Sequence, residues 1–558
     1  SLLVGRTGAA LDRAVPQDCQ VWMACINIDR FRLVNETMGH QAGDQMLKLL
    51  AQRVQGLLGA GDTAARVGDD ELMLLFEESM DEYGVMSRLQ GIKEAIAAPL
   101  QVNGQEHFLS ASVGTAAGPA CGADAETLMK NAHVAMRRAK EMRSSQAELF
   151  TAAMNERAVE RQRLERDLRH ALDRGELLLH FQPQVNARDR RIVGMEALLR
   201  WQHPELGMVA PDRFIRIAEE TGLIVPIGAW VMRNACVHAR QWQGLVPGKL
   251  RVAVNLAASQ LYHDDLVGLV GRTLDETGLD PECLDIELTE SQVMADVDHA
   301  LGVMQRLKAI GVKLSLDDFG TGYSSLAYLK RFPIDVLKID QSFVRNLTTD
   351  PDDAVIARSI ITLGQSLQLQ VVAEGVETEE QFAYLQRHRC DQIQGYFFSR
   401  PLAAADFERL LAESKAVPET RDAACEEPTL LIVDDEVNVS AALHRVMRRD
   451  GYRILRASSG QEGLALLAMN KVQVVLSDER MPGMSGTEFL SRVKAMYPDT
   501  IRIMLSGYTA VDAIIAATNS GAVFRFHAKP WDDDALRSSI AEAFRYHWLI
   551  HGNGVAPS

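Results

Sequence analysis

The sequence predicts an α/β protein of several domains, one of them a closed barrel of parallel strands and another an open, doubly wound sheet. Three observations support this prediction. A chain of 558 residues is too long for one hydrophobic core. Short apolar runs alternate with stretches of helical length between residues 177 and 400. Four further apolar runs after residue 428 end in acids, a hydroxyl and a lysine.

The composition excludes several classes of protein. With 47% hydrophobic and 24% charged residues it is typical of a folded chain, and a formal net charge of −16 disfavours nucleic-acid binding. Seven cysteines without a C-x-x-C pair indicate a reducing compartment rather than a disulfide framework or a zinc ribbon. The longest uncharged apolar run, GLIVPIGAWVM from Gly222, is shorter than the ~20 residues of a membrane helix. We expect a cytoplasmic protein without a membrane span or a nucleic-acid partner.

Two changes in composition divide the chain. Residues 151–177 are dense in alternating charges with leucines on one helical face, which predicts a connecting helix. Residues 415–427 lack apolar periodicity and contain a proline, which predicts a linker. The predicted domains are therefore residues 1–150, 160–414 and 428–546, followed by a polar tail over 547–558.

The middle block has the pattern of a (β/α)8 TIM-like barrel. In such a barrel the carboxyl ends of the strands converge on one mouth, so polar residues at strand ends are gathered into one site. Six residues lie within or at the far end of apolar runs: Glu196, Asn255, Glu287, Asp317, Lys338 and Glu374. Each acid alone is compatible with a solvated loop residue or a helix cap. Six such positions in one barrel favour an enzyme site.

Acids packed at a barrel mouth repel one another unless divalent cations neutralise them. Oxygen ligands without a cysteine or histidine cluster favour magnesium or manganese over zinc. A pair of such ions can activate a water molecule and stabilise charge on a phosphoryl group. The pattern therefore predicts metal-assisted chemistry on a phosphorylated substrate.

The motifs of this block resemble the EAL family of cyclic di-GMP phosphodiesterases. The matching segments are EALLRW (196–201), VNLAASQL (254–261), ELTES (287–291), DDFGTGYSSL (317–326), LKID (337–340), AEGVET (373–378) and QGYFFSRP (394–401). The resemblance implies hydrolysis of cyclic di-GMP to linear pGpG with two divalent ions, Mg2+ or Mn2+. Ala257 stands where the family usually has serine, at a position that is not a metal ligand.

The resemblance also implies a role for individual residues. Glu374 would be the base for the attacking water, and Lys338 would hold that water or the developing negative charge. Arg200 would contact phosphate and Gln394 would face a guanine. The implied metal ligands are Glu196, Asn255, Glu287 and Asp317, with Asp317 bridging to the second ion and Asp318 beside it. Glu290 and Glu377 would brace the DDFGTGYSS loop, in which Gly320 and Gly322 permit a sharp turn.

The first block resembles a GGDEF diguanylate cyclase domain, which implies an α/β palm like that of nucleotide cyclases. The matching segments are INIDRFRLVNETMGHQAGDQML (26–47), ARVGDDELML (65–74), SASVGTAA (110–117) and NAHVAMRRAK (131–140). Asp69 replaces a glycine that lets backbone approach a triphosphate, and Asn27 replaces the first metal carboxylate. Further departures are Leu72 for phenylalanine, Ser144 for a phosphate-binding arginine and Gly59 at the RxxD inhibitory site, where Asp62 remains. We therefore expect a degenerate domain without cyclase activity.

Other positions of the nucleotide site are retained. The resemblance implies guanine contacts from Asn35 and Asp44, phosphate contacts from Arg32 and Lys140, and a metal carboxylate at Asp70. This set is compatible with a regulatory GTP site. The alternative is a domain kept for packing and dimer geometry. Both interpretations stay open at the level of the sequence.

The last block has the strand ends of a doubly wound (βα)5 flavodoxin-like sheet and resembles a response-regulator receiver domain. By that resemblance Asp478 would accept phosphate from a sensor histidine kinase, and Asp434 and Asp435 would help to bind one Mg2+. Ser506 and Lys529 would contact the acyl phosphate, and Phe526 would reorient. The added charge would repack one face of the domain. An unphosphorylated scaffold domain is the alternative.

The combined hypothesis is a cyclic di-GMP phosphodiesterase whose activity is controlled by receiver phosphorylation and by GTP, acting as a homodimer. One alternative is a cyclic di-GMP receptor that uses the barrel mouth without hydrolysis. Another is a bifunctional cyclase and phosphodiesterase. Intact Glu196, Lys338 and Glu374 argue against the first, and Asn27 and Asp69 argue against the second.

Overall fold

The computed structural model describes residues 2–17, 19–78, 80–142, 146–263, 265–322, 326–414, 427–507 and 522–551. The chain forms two compact units, Ser1–Asp167 and Leu168–Ser558. All but the last residue of the predicted linker 415–427 lies outside the described residues. The predicted α/β class is confirmed, with an α/β sheet domain, an eight-stranded barrel and a doubly wound domain.

The first unit contains one five-stranded sheet and a small hairpin. The sheet order is β2-β3-β1-β6-β7, and the central strand β1 is antiparallel to both β3 and β6. In chain order the elements are α1 (Leu2–Ala14), β1 (Val21–Ile28), α2 (Phe31–Met38), α3 (His40–Gln55), β2 (Thr63–Arg66), β3 (Glu71–Phe76), α4 (Glu82–Ala97), β4 (Leu100–Val102), β5 (Gln105–His107), β6 (Ala111–Gly118), α5 (Ala125–Met142) and β7 (Glu148–Leu149).

Both faces of this sheet are covered. Apolar residues of α3 and α4 form a core against one face, and those of α1 and α5 form a core against the other. Because β1 is sandwiched, all eight of its side chains are buried. Helix α5 lies so close to β6 that a Cβ atom added at Gly114 would come within 1.8 Å of the Met136 backbone nitrogen.

The predicted connecting helix is shorter than expected. The sequence predicts it over 151–177, and the structure has α6 over Ala152–Ala171. The chain then turns at Gly175, whose φ of +67° lies in the left-handed region. Leu177 already begins the first strand of the barrel.

The barrel closes from eight strands in the order β9-β11-β12-β13-β14-β15-β16-β8, with β8 paired back to β9. Its elements are β8 (Leu177–Asn186), β9 (Ile192–His203), β10 (Gly207–Val209), α7 (Pro211–Thr221), α8 (Ile224–Trp242), β11 (Arg251–Asn255), α9 (Ala258–Leu261), α10 (Leu266–Thr277), β12 (Leu284–Thr289), α11 (Glu290–Ala295), α12 (Val297–Ile310), β13 (Lys313–Phe319), α13 (Leu326–Leu329), β14 (Val336–Ile339), α14 (Gln341–Arg345), α15 (Pro351–Ser366), β15 (Gln370–Ala373), α16 (Glu379–Arg387), β16 (Gln392–Ile393), β17 (Leu402–Ala403) and α17 (Ala404–Ser414).

One strand departs from a uniformly parallel barrel. Strand β8 runs antiparallel to both of its barrel neighbours, β9 and β16. The connection from β8 to β9 is a short turn after Asn186, and a parallel pair would need a crossover of a dozen or more residues. The remaining neighbours from β9 to β16 are parallel, so their carboxyl ends share one mouth.

The last domain is a five-stranded parallel sheet in the order β19-β18-β20-β21-β22. Its elements are β18 (Thr429–Val433), α18 (Val437–Met447), β19 (Arg453–Ala457), α19 (Gly460–Met469), β20 (Val474–Asp478), α20 (Gly486–Met496), β21 (Ile501–Gly507), β22 (Arg525–Lys529) and α21 (Asp533–His551). Helix α21 extends into the predicted tail, and residues 552–558 lie outside the described part. Among the described helices, none has the length and apolar character that crossing a membrane requires.

Gly114→Ala should destabilise the first unit by about 1–3 kcal/mol, because the added methyl group would overlap backbone of α5. The matched control is Gly91→Ala, an exposed position inside α4 with open space around it, which should be neutral or stabilising by up to about 1 kcal/mol. Differential scanning calorimetry of the full chain measures both variants. Equal unfolding temperatures of the Gly114→Ala and Gly91→Ala variants would contradict the close packing of α5 on β6.

Candidate active site

Six polar side chains lie within or directly after six consecutive barrel strands. Strands β9, β11, β12, β13 and β14 contribute one each, and Glu374 directly follows β15. The register places Asn255 beside Glu287 and brings Asp317 beside Thr289 on the neighbouring strand. The six residues predicted from the sequence to share one mouth are Glu196, Asn255, Glu287, Asp317, Lys338 and Glu374, and their interactions join them into two adjoining groups.

The first group is centred on Lys338. Its ammonium nitrogen lies 2.5 Å from Glu374 Oε1, 2.8 Å from Glu287 Oε1 and 3.3 Å from Asp317 Oδ2. The side chains of Lys338 and Glu287 are each 1% exposed, whereas that of Glu374 is 20% exposed. Burial opposes the positive charge, yet the carboxylates of Glu287, Glu374 and Asp317 raise the Lys338 pKa well above its usual value.

The second group is centred on Glu196. Its Oε1 accepts a hydrogen bond of 2.5 Å from the Asn255 amide, and its Oε2 accepts one of 2.5 Å from the Gln394 amide. Gln394 Nε2 also donates to Gln182 Oε1 at 3.2 Å. The side chain of Gln394, expected to face a guanine, is therefore buried and hydrogen-bonded inside the barrel.

Burial changes the acidity of the carboxyl groups at the mouth. Desolvation raises the pKa of Glu374 to about 8, against the opposing effect of Lys338. It also raises the pKa of Glu287 well above the usual range. Desolvation, with the neighbouring charges of Asp317 and Asp340, raises the pKa of Asp318 to about 6. Two of these groups therefore titrate close to neutral pH.

The loop after β13 is held by a buried glutamate. Glu290 Oε2 accepts a hydrogen bond of 3.1 Å from the Gly320 backbone, and a Cβ atom at Gly322 would meet Glu290 Oε1 at 2.6 Å. Asp318 has a φ of 55° and Gly320 a φ of +99°, so the chain turns sharply here. Residues 323–325 lie outside the described part. Glu377 is exposed, and its predicted bracing of this loop stays a prediction.

Arg200 lies on β9 at the same end of the barrel, half-buried, and its guanidinium donates to the Leu199 carbonyl at 2.9 Å. Desolvation lowers its pKa, and the charges of Glu196 and Tyr396 oppose that shift. Arg200 thus supplies a cation close to the carboxylate groups. Its contact with phosphate stays a prediction.

The donor set fits a hard divalent cation. Glu196, Asn255, Glu287 and Asp317 offer oxygen atoms from four adjacent strands. Both oxygens of Glu287 are buried, and Oε2 has no hydrogen-bond donor among the described residues. A buried carboxylate oxygen without a donor is costly, so a cation ligand is a chemically reasonable partner.

A second acidic site lies at the strand ends of the last domain. Carboxylate oxygens of Asp434, Asp435 and Asp478 come within 4.8 Å of one another. Lys529 Nζ lies 3.0 Å from Asp434 and 2.8 Å from Asp478. Ser506 is buried at the end of β21, whereas Phe526 is 48% exposed. The structure therefore brings together the acids and the lysine that the sequence singled out.

In the first unit, the residues of the predicted nucleotide site include a lysine that contacts Asn27. Lys140 Nζ donates to Asn27 Oδ1 at 2.6 Å, at the position where the sequence comparison expects a metal carboxylate. Asp69 is exposed, and Asp70 is only part-buried. Arg32 is exposed and pairs with Glu36 at 2.9 Å. Ser144 lies outside the described residues.

The two expected guanine contacts belong to neighbouring helices. Asn35 lies on α2 and Asp44 on α3. A Cβ atom at Gly43 would meet Asn35 Oδ1 at 2.0 Å, so the Asn35 side chain lies directly against the α3 backbone. Asp62 accepts a hydrogen bond from the Gly59 backbone at 2.8 Å and pairs with Arg88 at 2.6 Å. Asp62 therefore holds a local turn.

Three family models match the chain in succession. The diguanylate cyclase GGDEF domain matches residues 3–146, the EAL domain residues 165–401 and the response regulator receiver domain residues 430–541. The chain is a GGDEF–EAL–receiver protein. The barrel is its EAL domain, and the doubly wound domain is its receiver.

Relatives of this GGDEF–EAL–receiver protein include two from Pseudomonas aeruginosa. The bifunctional diguanylate cyclase/cyclic di-GMP phosphodiesterase MucR is 42% identical over 411 residues, 74% of this chain and 59% of MucR. The cyclic di-GMP phosphodiesterase NbdA is 40% identical over 387 residues, 69% of this chain and 49% of NbdA. The chain spans about half the length of these curated relatives.

A solved structure of PaMucR phosphodiesterase in complex with c-di-GMP is 47% identical to the EAL part. The match covers 44% of this chain and 99% of the PaMucR chain, with a TM-score of 0.43. EAL phosphodiesterases are divalent-metal dependent, which agrees with the oxygen donor set at the barrel mouth.

Sequence reasoning missed several polar residues of these sites. Gln182 and Gln184 of β8 both hydrogen-bond to Gln394, and Asp340 contributes to the raised pKa of Asp318. The alternation of HFQPQVN on β8 could have indicated that both glutamines point to one face. In the GGDEF domain, ligand atoms of Cys25, Glu71 and His133 lie within 4.8 Å of one another, a grouping that no sequence motif indicated.

The metal-free EAL domain should become more stable as the pH falls from about 8 towards 4.5. The pKa of Glu374 is raised from 4.5 to about 8, so in this window the folded state binds a proton that the unfolded chain does not. Thermal unfolding in EDTA across this range measures the effect. Glu374→Gln should reduce the slope, and an identical slope in both proteins would contradict the raised pKa.

Proposed function

We propose that this chain hydrolyses one phosphodiester bond of cyclic di-GMP to give linear pGpG. The observation that carries the proposal is the cluster of Lys338 with Glu287, Asp317 and Glu374 at the mouth of a barrel that belongs to the EAL family. MucR and NbdA, both named as cyclic di-GMP phosphodiesterases, support the choice of substrate.

Glu374 would accept the proton of the attacking water. A general base works best when its pKa lies close to the working pH, and desolvation raises the Glu374 pKa to about 8. Lys338 holds the Glu374 carboxylate at 2.5 Å and fixes its direction. The same ammonium group would stabilise negative charge that develops on the phosphoryl oxygens.

Two divalent cations, Mg2+ or Mn2+, would be held by Glu196, Asn255, Glu287, Asp317 and Asp318. Such ions supply an activated water and neutralise charge on the phosphoryl group. The protein contributes a set of oxygen donors on rigid strands, and Glu290 fixes the backbone next to Asp318 through Gly320.

Substrate contacts would come from Arg200 and Gln394. Arg200 would pair with a phosphate as a fixed cation at the edge of the site. Gln394 donates to Glu196 in this structure, so contact with a guanine requires the amide to exchange that hydrogen bond for the base. Guanine recognition and the release of Glu196 towards a cation would then occur together.

The GGDEF domain, by this proposal, does not synthesise cyclic di-GMP. A cyclase needs anionic ligands for the metal of GTP, and here the Asn27 amide is engaged by the Lys140 ammonium group at 2.6 Å. Asp69 adds negative charge where a triphosphate would approach. Asn35, Asp44 and Asp70 would contribute to a regulatory GTP site.

The receiver would regulate the barrel. Asp478 would accept phosphate from a sensor histidine kinase, with Mg2+ at Asp434 and Asp435. Ser506 and Lys529 would then contact the phosphoryl oxygens. The 2.8 Å contact between Lys529 and Asp478 provides a cation beside the acceptor. Activity as a homodimer remains part of the same proposal.

Glu374→Gln should lower the turnover of cyclic di-GMP by roughly 10²–10⁴-fold, because the attacking water loses its base. Substrate binding, measured by isothermal titration in Ca2+ or Mg2+, should be retained. Glu413→Gln, at an exposed position of helix α17, is the matched control and should not change pGpG formation. Substantial turnover by Glu374→Gln would remove Glu374 from this role, and absent turnover by the unmodified chain would favour a receptor.

GTP should bind the chain without being converted to cyclic di-GMP. Titration calorimetry with GTP and Mg2+ measures binding, and pGpG formation with and without GTP measures regulation. Asp44→Asn should weaken any binding that uses the guanine contact. Absence of heat at millimolar GTP would leave the GGDEF domain with a structural role, whereas cyclic di-GMP synthesis would establish a bifunctional enzyme.

A further inference from the structure

The EAL barrel and the receiver share a packed interface within the second compact unit. Barrel helices α15 and α16 lie against receiver helices α20 and α19 respectively. This face of the receiver consists of α19 and α20, which flank the strand that ends in Asp478. The interface is named here the α15–α16/α19–α20 interface.

Arg387, in the last turn of α16, joins the barrel to the end of α19. Its guanidinium donates to the Leu467 carbonyl at 2.6 Å and to the Ala468 carbonyl at 3.1 Å. These are carbonyl groups of the last helical turn, which lack partners within the helix. A cation there also interacts favourably with the helix dipole. The guanidinium lies 5.6 Å from the centre of the Tyr497 ring.

A second arginine makes the same kind of contact with α20. Arg358 of α15 donates to the Ala495 carbonyl at 3.2 Å, in the last turn of that helix. In the opposite direction, Arg492 of α20 donates to the Thr349 carbonyl of the barrel at 2.7 Å. Three arginines thus bind backbone carbonyls across the interface, which fixes its register more specifically than apolar contact would.

Aromatic rings fill the centre of the interface. Tyr384 of α16 and Tyr497, at the end of α20, pack edge to face with centroids 5.7 Å apart. His388 packs against Tyr384 at 4.4 Å, and desolvation lowers its pKa to about 4, so the ring is neutral at pH 7. Among the described residues, Tyr497 Oη and His388 Nε2 are buried without a hydrogen-bond partner.

These two unpartnered atoms oppose association. A buried polar group without a partner loses its hydrogen bonds to water and gains none in return. The arginine contacts favour the docked arrangement and the two orphaned atoms disfavour it. The interface therefore has a specific geometry, but it is less stable than an interface in which every buried polar group is paired. Such reduced stability is expected of a surface that rearranges in response to a signal.

On the barrel side, α16 connects this interface to the candidate base. The helix begins after Thr378, four residues beyond Glu374. Gln381 in its first turn accepts a hydrogen bond of 2.7 Å from the Glu377 backbone and donates to the Val344 carbonyl at 3.1 Å. A displacement of α16 would therefore move the segment that carries Glu374.

On the receiver side, α20 connects the interface to the phosphoacceptor. Gly486 at its start donates to the Glu479 carbonyl at 2.9 Å, and a Cβ atom there would meet the Asp478 carbonyl oxygen at 2.1 Å. Thr487 donates to the Glu479 carboxylate at 2.8 Å. Helix α20 thus begins against the residues of the phosphorylation site and ends against the barrel.

We propose that the α15–α16/α19–α20 interface is the surface through which phosphorylation of Asp478 changes the loop that carries Glu374. The inference rests on the proposed phosphorylation of Asp478. Helices α20 and α16 each have one end at a chemical site and the other at the interface, and the Tyr497 ring directly after α20 packs against Tyr384 of α16. Coupling of this kind requires that the signal bias the docked arrangement.

Hydrogen exchange of the full-length chain in Mg2+, read by mass spectrometry, tests the proposal without using turnover. Beryllium fluoride serves as the phosphoryl mimic. It should change exchange around Asp478 and, through the interface, in residues 379–388. An unchanged exchange rate in 379–388 while residues around Asp478 respond would overturn the coupling.

Arg358→Ala combined with Arg387→Ala should open the interface. Exchange in residues 379–388 and 486–497 should become several-fold faster, and the response of 379–388 to beryllium fluoride should disappear. The matched control is Arg233→Ala, whose arginine pairs with Glu276 between barrel helices α8 and α10. Slow exchange in strand β15 would verify that the barrel remains folded. A retained response in the double variant would overturn the proposal.

Tyr497→Phe should have the opposite effect and stabilise the interface. It keeps the ring against Arg387 and Tyr384 but removes the buried hydroxyl that lacks a partner among the described residues. Exchange in residues 379–388 should become slower than in the unmodified chain. Faster exchange would show that the hydroxyl has a stabilising partner and would contradict the argument from the unpaired atoms.

The outcomes separate this inference from the proposed function. Absence of pGpG formation would count against the phosphodiesterase proposal and would leave the exchange results intact. Absence of any response at Asp478 to beryllium fluoride would overturn both the proposed phosphorylation and the coupling. The arginine variants alone would then test whether the α15–α16/α19–α20 interface forms.

Discussion

The buried ammonium group of Lys338 is the interaction on which the barrel mouth depends. Three carboxylates approach this buried group within 3.3 Å. Without this cation, Glu287, Asp317 and Glu374 would repel one another at a cost that strand pairing would have to overcome. The lysine therefore both permits the acids to assemble and opposes the rise in the Glu374 pKa that desolvation causes. Its position between them also means that cation binding must redistribute these contacts.

The strand-end acids could be predicted because parallel strands direct their carboxyl ends to one mouth, whatever the rest of the barrel does. The reversal of β8 could not be predicted from the same rhythm, since apolar alternation is identical for parallel and antiparallel strands. The short turn after Asn186 was the available signal. The hydrogen bonds of Gln182 and Gln184 to Gln394 could not be predicted either, because they depend on the strand with which β8 pairs.

The GGDEF domain shows how a substitution at one position changes the contacts that another residue makes. Lys140 was expected to meet phosphate, and the structure has it bonded to Asn27. An amide at this position lacks the negative charge of a carboxylate, and its oxygen accepts a hydrogen bond from an ammonium group. The pair therefore joins the residue at the expected metal position to the residue expected to meet phosphate. The substitution at Asn27 is visible in the sequence, whereas the engagement of Lys140 depends on a contact between β1 and α5.

The receiver interface could not be predicted from the sequence, because an arginine that binds helix-end carbonyls has the same local pattern as one on a solvated surface. Arg387 and Arg358 acquire their role only when α19 and α20 end beside them. Carbonyl groups at a helix end require partners in every fold, so this contact constrains where the helix can move. Helix α20 begins beside Asp478, the proposed phosphoacceptor, and α16 follows the candidate base. A shift at either residue would therefore have to change the arginine contacts or move the other helix.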